Sequence, residues 1–194
     1  MKKTILLLTL ISLLSFNSYS QSMTKKQSRD HQSWFLSVGV NAVGSLGTQN
    51  PVEKLEEFEF SRPFAIAIQH KWTEHLSIEQ DFTMNQFKVG STIDNGVVTE
   101  KLNYYSTNTY LKYYFSDYLL KNVNWLDMYA GGGLGVFSID EFNTSANLVL
   151  GGTIWINPNI GVRLQSVGKF AFNQKDNRYD NNHFQYMLQA VFKL

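Results

Sequence analysis

From Ser33 onward, polar and apolar residues alternate in short runs separated by clusters of turn-forming residues. Successive side chains of a strand point to opposite faces, so a period of two predicts strands with two chemically different sides. In WFLSVGVNA, Trp34, Leu36, Val38 and Val40 share one face, and Phe35, Ser37, Gly39 and Asn41 share the other. A second run, about Arg62 to Trp72, sets Phe64, Ile66, Ile68 and Trp72 against Ala65, Ala67, Gln69 and Lys71. The third, Leu76 to about Lys88, sets Leu76, Ile78, Phe82 and Met84 against Ser77, Glu79, Asp81, Thr83 and Asn85. In the fourth, near Leu102 to Phe115, Tyr105, Leu111, Tyr113 and Phe115 oppose Ser106, Asn108, Tyr110 and Lys112.

The second half continues in the same way. Leu126, Met128, Ala130, Leu134 and Val136 share a face, as do Leu148, Leu150, Ile154 and Ile156 in the next run. Ile160, Val162 and Leu164 then oppose Gly161, Arg163 and Gln165, and the final run HFQYMLQAVFKL puts Phe184, Tyr186, Leu188, Ala190, Phe192 and Leu194 on one side. No stretch has a convincing helical period. The pattern predicts eight strands, an even number as an antiparallel up-and-down closure requires.

The connections alternate in length. Those at Thr73 to His75 and at Asn157-Pro158-Asn159 are short, and Ser116 to Asn124 is somewhat longer; Val43 to Ser61, Val89 to Glu100, Ile139 to Ser145 and Ala171 to Asn181 make a mostly longer set. Short periplasmic turns and longer external loops give this asymmetry in outer-membrane barrels, with both termini in the periplasm.

Alternation alone does not separate a membrane barrel from a soluble one, which buries its apolar face inside. The polar face carries only a few charges, Glu79, Asp81, Lys112 and Arg163, among several Asn and Gln, whereas a soluble barrel exposes many more Lys and Glu. Trp34, Trp72, Tyr113 and Phe115 fall near the predicted periplasmic strand ends, the height of an interfacial aromatic girdle. The remaining composition agrees. Aromatics make up 14% of the chain, there are 13 glycines and 3 prolines, and the absence of cysteine removes disulfides and thiolate metal sites. A formal charge of +1 implies no nucleic-acid partner.

Upstream of the strands, Lys2 and Lys3 precede an apolar run from Ile5 to Leu14, and Ser18-Tyr19-Ser20 offers small residues at the positions a signal peptidase reads. Residues 1–20 are expected to be a secretory signal removed before Gln21, because the run is too short to span a bilayer. Residues 21–32, polar and aperiodic, are expected to be a flexible segment preceding a barrel domain at 33–194.

The signal-like start, the eight alternating runs, YAGGGLGVF and the terminal strand together resemble the small outer-membrane barrel family that includes the membrane domain of OmpA and OmpX. The resemblance covers Ser33 to Leu194 and implies an all-β, eight-stranded, antiparallel up-and-down transmembrane barrel. It further implies that the last strand, through Phe184, Tyr186, Leu188, Phe192 and Leu194, is an assembly signal for the barrel-assembly machinery. That family typically ends in Phe, whereas Leu194 stands last here. The closed barrel requires this strand to pair with Ser33 to Asn41.

Candidate chemistry is sparse. Gly131, Gly132, Gly133 and Gly135 fit neither the dinucleotide fingerprint nor a P-loop. Inward Gly131, Gly133 and Gly135 would instead make room for large side chains, with Tyr110, Trp155 and Arg163 as candidates. The inward charges Glu79, Asp81, Lys112 and Arg163 are expected at similar depth. An unpaired ion in a narrow lumen is costly, so they are expected to form a salt-bridge plug; independent solvated charges around a narrow wet channel are the other reading. The histidines lack zinc spacing. His183 alone lies near the outer surface, where Asp176 or Asp180 could orient it and a loop Ser could approach it, but His183-Phe184-Gln185-Tyr186 itself lacks a nucleophile, so no catalytic residues and no enzymatic activity are expected. Among the external loops, Glu53, Glu56, Glu57 and Glu59 concentrate acid in the first, either as a solvated run or as a patch for a host molecule or divalent cations.

The sequence is thus read as a monomeric outer-membrane barrel with a structural or surface-interaction role in adhesion or envelope integrity. Expected partners are outer-membrane lipid and lipopolysaccharide, the assembly machinery during insertion and an unidentified extracellular molecule, with no cofactor or metal. A narrow diffusion pore and a soluble periplasmic barrel binding a small apolar ligand are the alternatives.

Overall fold

The computed structural model describes residues 32–45, 55–93, 96–121, 123, 125–173 and 181–194. The expected signal peptide at 1–20, the segment up to residue 31, Glu53, Asp176 and Asp180 lie outside the described residues. The barrel strands are β1 (Ser33–Ser45), β2 (Phe64–Lys71), β3 (Leu76–Phe87), β6 (Leu102–Tyr114), β7 (Leu126–Ser138), β8 (Phe142–Asn157), β9 (Ile160–Ala171) and β10 (His183–Lys193). Two very short strands, β4 (Thr92–Ile93) and β5 (Gly96–Val97), pair with each other outside the barrel. A single helical turn, α1 (Ser116–Leu119), interrupts the β6–β7 connection.

The sheet closes on itself in the order β1-β10-β9-β8-β7-β6-β3-β2, each neighbour antiparallel. Closure joins β1 to β10 from Phe35↔Lys193 to Ser45↔His183. It leaves the barrel with no unpaired edge. No helix among the described residues is long and apolar enough to cross a membrane.

Two loop boundaries differ from the alternation-based reading. The external connection expected over Ile139 to Ser145 shrinks to residues 139–141, because β8 already begins at Phe142 and pairs with Ser138. Thr144 and Ser145 are both polar although one faces out and the other in, so the period is hidden. Likewise β1 runs to Ser45, past the expected loop start at Val43, and Val43 bridges Glu59. There the polarity of the inward face inverts: Val43, Phe87, Leu102 and Phe137 all point into the mouth of the barrel and are buried.

The wall coils tightly around β7. A Cβ on Gly131 would strike the carbonyl oxygen of Leu111, and one on Gly133 would strike that of Thr109 and the Tyr110 ring. Glycine is therefore required by the close approach of β6, not by backbone dihedrals. Tyr110 does use the space at Gly133, as the glycine pattern suggested. Trp155 packs instead beside Gly161 and Phe35, and Arg163 lies against β3.

Candidate functional site

Orientation of the two faces defines the barrel's environment. The inward face is polar: Ser37, Asn41, Gln69, Ser77, Glu79, Asp81, Thr83 and Asn85 are all buried on β1 to β3 alone. The outward face is aliphatic and exposed, with Leu111 at 50%, Leu134 at 64%, Leu148 at 63% and Leu164 at 62%. A water-soluble barrel has the reverse arrangement, which removes the periplasmic ligand-binding alternative. Such a belt spread over every strand is stable only against hydrocarbon, because contiguous apolar patches of that extent are not tolerated in water.

At the end where β2 joins β3, Trp34, Trp72 and Tyr113 are nearly half exposed, whereas Phe115 sits just past β6 and is half-buried. Trp125 and Tyr118 extend this ring and were not singled out by alternation, since both lie in the β6–β7 connection. His75 stacks on Tyr118 and packs tilted against Tyr113, and Trp34 packs tilted against His70, so rings of this girdle touch one another in groups. At the opposite rim, Tyr105, Phe142, Phe170 and Phe172 are exposed.

Inside, charges meet across the lumen. Glu79 of β3 receives Lys112 Nζ from the adjacent strand at 2.6 Å and Arg163 Nη1 from the far wall at 2.5 Å, all three fully buried. One carboxylate facing two cations leaves a positive charge over. Three amides turn their oxygens to it: Gln189 Oε1 accepts from Arg163 Nε (3.0 Å) and Nη2 (2.7 Å), Gln69 Oε1 from Arg163 Nη1 (3.3 Å), and Gln165 Oε1 from Lys112 Nζ (2.7 Å). The Tyr129 ring face lies 4.4 Å from the same ammonium. These glutamines read as ordinary polar positions in the sequence, because only the closed geometry reveals where an amide oxygen points.

Asp81 does not join that cluster. It sits two residues further along β3, one inward layer higher, and its Oδ1 accepts from Asn108 Nδ2 at 2.6 Å. Asn108 Oδ1 in turn accepts from Lys169 Nζ (2.6 Å) and Asn147 Nδ2 (2.9 Å), and Lys169 also donates to Ser106. Lys169 is thus a buried cation that the alternation-based reading missed, since β9 extends beyond the residues assigned to its run. Below Glu79, Trp155 Nε1 donates to Asp127 Oδ2 at 2.9 Å and Lys71 lies over the Tyr114 ring.

A third, apolar layer closes the loop end. Val43, Phe87, Leu102, Tyr104, Phe137 and Ile139 cluster there with Ile93 of β4 and Val98, both essentially without exposure. The β4–β5 hairpin therefore folds over the mouth. Glu59 holds it: Ser91 Oγ donates to its Oε2 at 2.5 Å, Ser61 Oγ and the Lys88 amide also donate to the carboxylate, and Lys88 Nζ lies 3.6 Å away. Burial alone would raise the Glu59 pKa, but these donors and the Lys88 charge hold it below the usual carboxylate value. Of the acidic loop residues described, Glu56 is exposed while Glu59 is largely covered by these partners, so the two do not share one surface patch. His183, expected near the surface, points inward beneath this layer and bonds Tyr104 at 2.9 Å through Nε2. No group of acid, His or Cys side chains among the described residues could hold a metal.

A closed eight-stranded antiparallel barrel with a polar, filled interior and an apolar exterior is a transmembrane β-barrel, and its fold is that of the small outer-membrane barrels. Among solved structures it is similar to the Pseudomonas aeruginosa outer-membrane protein OprG (TM-score 0.56, 11% identity, 87% of this chain and 98% of that one). It is also similar to the N-terminal barrel domain of P. aeruginosa OprF (0.52, 12%, 84% and 98%) and to Neisserial surface protein A (0.52, 14%, 82% and 94%). At these identities the fold is what is shared. No family profile and no curated protein matches the sequence.

Proposed function

We propose that this chain is a non-conducting barrel of the Gram-negative outer membrane, exported by its N-terminal signal and serving a structural or surface-interaction role through its external loops. The observation that carries this is the filled lumen: the Glu79 clasp with Lys112 and Arg163 spans the interior, Asp81 and Lys169 occupy the layer above, and the apolar mouth covers both. In a lumen this narrow the ions serve one another as solvent would, so leaving them paired is far cheaper than admitting a solute between them. Trp34, Trp72, Tyr113 and, more weakly, Phe115 act as the periplasmic interfacial girdle. The outward residues Phe184, Tyr186, Leu188, Phe192 and Leu194 act as the assembly signal read by the insertion machinery. Of the loop acids, the exposed Glu56 is the one offered to an extracellular partner, with Glu53 and Glu57 adding negative charge to the same loop. The barrel works as a monomer without cofactor, and its chemistry is not catalytic.

Two measurements test this. The outer-membrane fraction should contain the protein in a form whose gel migration changes on boiling. Reconstituted into planar bilayers, the protein should give no steady single-channel current. Soluble release without a migration change would refute the membrane reading, and a steady conductance would refute the seal and favour the narrow pore.

A further inference from the structure

The lipid-facing wall carries a polar cluster where hydrocarbon should be met by aliphatic side chains. Gln80 on β3 and Thr107 and Thr109 on β6 all point outward and are exposed at mid-strand. Their donors are all engaged. Thr109 Oγ1 donates to Gln80 Oε1 at 2.5 Å, Gln80 Nε2 donates to Thr107 Oγ1 at 2.7 Å and to the Asp81 carbonyl at 3.3 Å, and Thr107 Oγ1 donates to the same carbonyl at 2.8 Å. What stays open is acceptor capacity: lone pairs on both threonine hydroxyls and on the amide oxygen. A further partner must therefore bring a donor.

This cluster forms the lower end of a groove of about 430 Å³ that continues over Leu134 and Val136 to Phe172. It follows a row of paired residues, Thr107↔Val136↔Thr144, across the wall to the far end of β9. From β3 to β9 is four strand spacings, roughly 19 Å. With strands tilted about 40° in such barrels, the row climbs roughly 12 Å from its β3 member, Phe82, to the outer aromatic rim at Phe172, and Gln80 and Thr109 lie one outward position below its start. One leaflet of hydrocarbon is roughly 15 Å deep, so the groove reaches through most of the outer leaflet, a depth one inclined acyl chain can follow.

On the membrane reading above, we propose that this groove binds an outer-leaflet lipid whose acyl chain carries a hydroxyl near its middle. The chain lies along Phe172, Val136 and Leu134, and its hydroxyl donates to Thr107 or Thr109. An unsubstituted chain would fill the apolar part but leave the acceptors unmet where no water reaches. A second copy of the barrel is a poor occupant. Its wall is convex, and its own trio would bring acceptors to acceptors, with every donor already engaged.

The test is a native mass-spectrometric titration of the refolded protein in detergent micelles with two phosphatidylethanolamines, one carrying a ricinoleoyl chain and one an oleoyl chain. These differ in the mid-chain hydroxyl. Wild type should prefer the ricinoleoyl lipid about five- to tenfold, the worth of one well-made hydrogen bond. The isosteric double variant Thr107→Val/Thr109→Val should bind both lipids equally while keeping wild-type affinity for the oleoyl lipid. Its boil-sensitive gel migration verifies that it is folded. Equal affinity in wild type, or a preference that survives in the double variant, overturns the proposal. So would lipid-free dimers that disappear in the double variant, since they would assign the trio to a second copy. A wild-type protein that shows the migration change yet binds both lipids alike loses this site and keeps the membrane reading.

Discussion

Replacing Glu79 by Gln keeps the side-chain shape and removes the charge on which both Lys112 and Arg163 converge. Arg163 is the better protected of the two, since it retains Gln189 and Gln69 as acceptors. Lys112 keeps one amide acceptor, Gln165, and the ring faces of Tyr129 and, further off, Tyr110. Breaking a buried pair from one side leaves an uncompensated ion and typically costs about 3–5 kcal/mol, and the expected loss for Glu79→Gln is in that range. Adding Lys112→Met should recover most of it, because the stranded ammonium is then replaced by an apolar chain of similar length. The assay is equilibrium urea unfolding in phospholipid vesicles, followed by tryptophan emission, for which Trp34, Trp72 and Trp125 on the outer wall are suited reporters. The slope with urea should not change, as the same surface is exposed on unfolding. A single variant within about 0.5 kcal/mol of wild type, or a double variant less stable than the single one, would refute the account of the clasp.

Three other outcomes are expected. Gly133→Ala should cost about 3 kcal/mol or prevent folding, since its Cβ meets a carbonyl of the neighbouring strand, while Gly132→Ala, whose Cβ comes no nearer than 3.6 Å to Asn147 O, should stay within about 0.5 kcal/mol; the same urea titration compares them. Glu59 has a depressed pKa in the folded protein, so its hold on the β4–β5 hairpin is present above the unfolded value of about 4.3 and is lost as pH falls through the lower folded value. The protection factors of the Gly90 and Val98 amides, taken relative to the intrinsic exchange rate at each pH, should fall on acidification toward about pH 3, and in Glu59→Gln they should already be lower at neutral pH; unchanged protection in the variant would remove Glu59 from that role. Leu194→Phe should leave the boil-sensitive fraction equal or larger, whereas deleting Phe192 to Leu194 should abolish it.

Strand number, pairing order and the facing of nearly every residue were legible because one face of each strand meets lipid and the other a polar interior. A two-fold period survives wherever those environments differ. It fails where they converge. At the mouth the inward positions turn apolar, so Val43 was read as loop. Around Phe142 to Ser145 polar residues occupy both faces, so the start of β8 was missed. The site was legible in part for a related reason. Glu79, Lys112 and Arg163 stand out as rare charges on the inward face, but Lys169 lay beyond the assigned run and Asp81 one layer above the clasp. The orienting roles of Gln69, Gln165 and Gln189 depend on distances across the barrel, which no spacing along the chain encodes. The hairpin lid was invisible because Ile93 and Val98 are two apolar residues in a short segment without period.

The seam between β1 and β10 carries a consequence for how the chain can be cut. Leu194 N donates to Trp34 O at 2.9 Å, so the first and last residues of the barrel are already neighbours on the same rim. The strands form a ring in which the position of the break is a matter of chain order rather than architecture. A short linker from Leu194 to Ser33, with new termini opened between β2 and β3 or between β8 and β9, would leave every pairing intact. Such permutants should match wild type in final stability and differ in assembly rate, because each break changes which pair must find one another across the whole length of the chain.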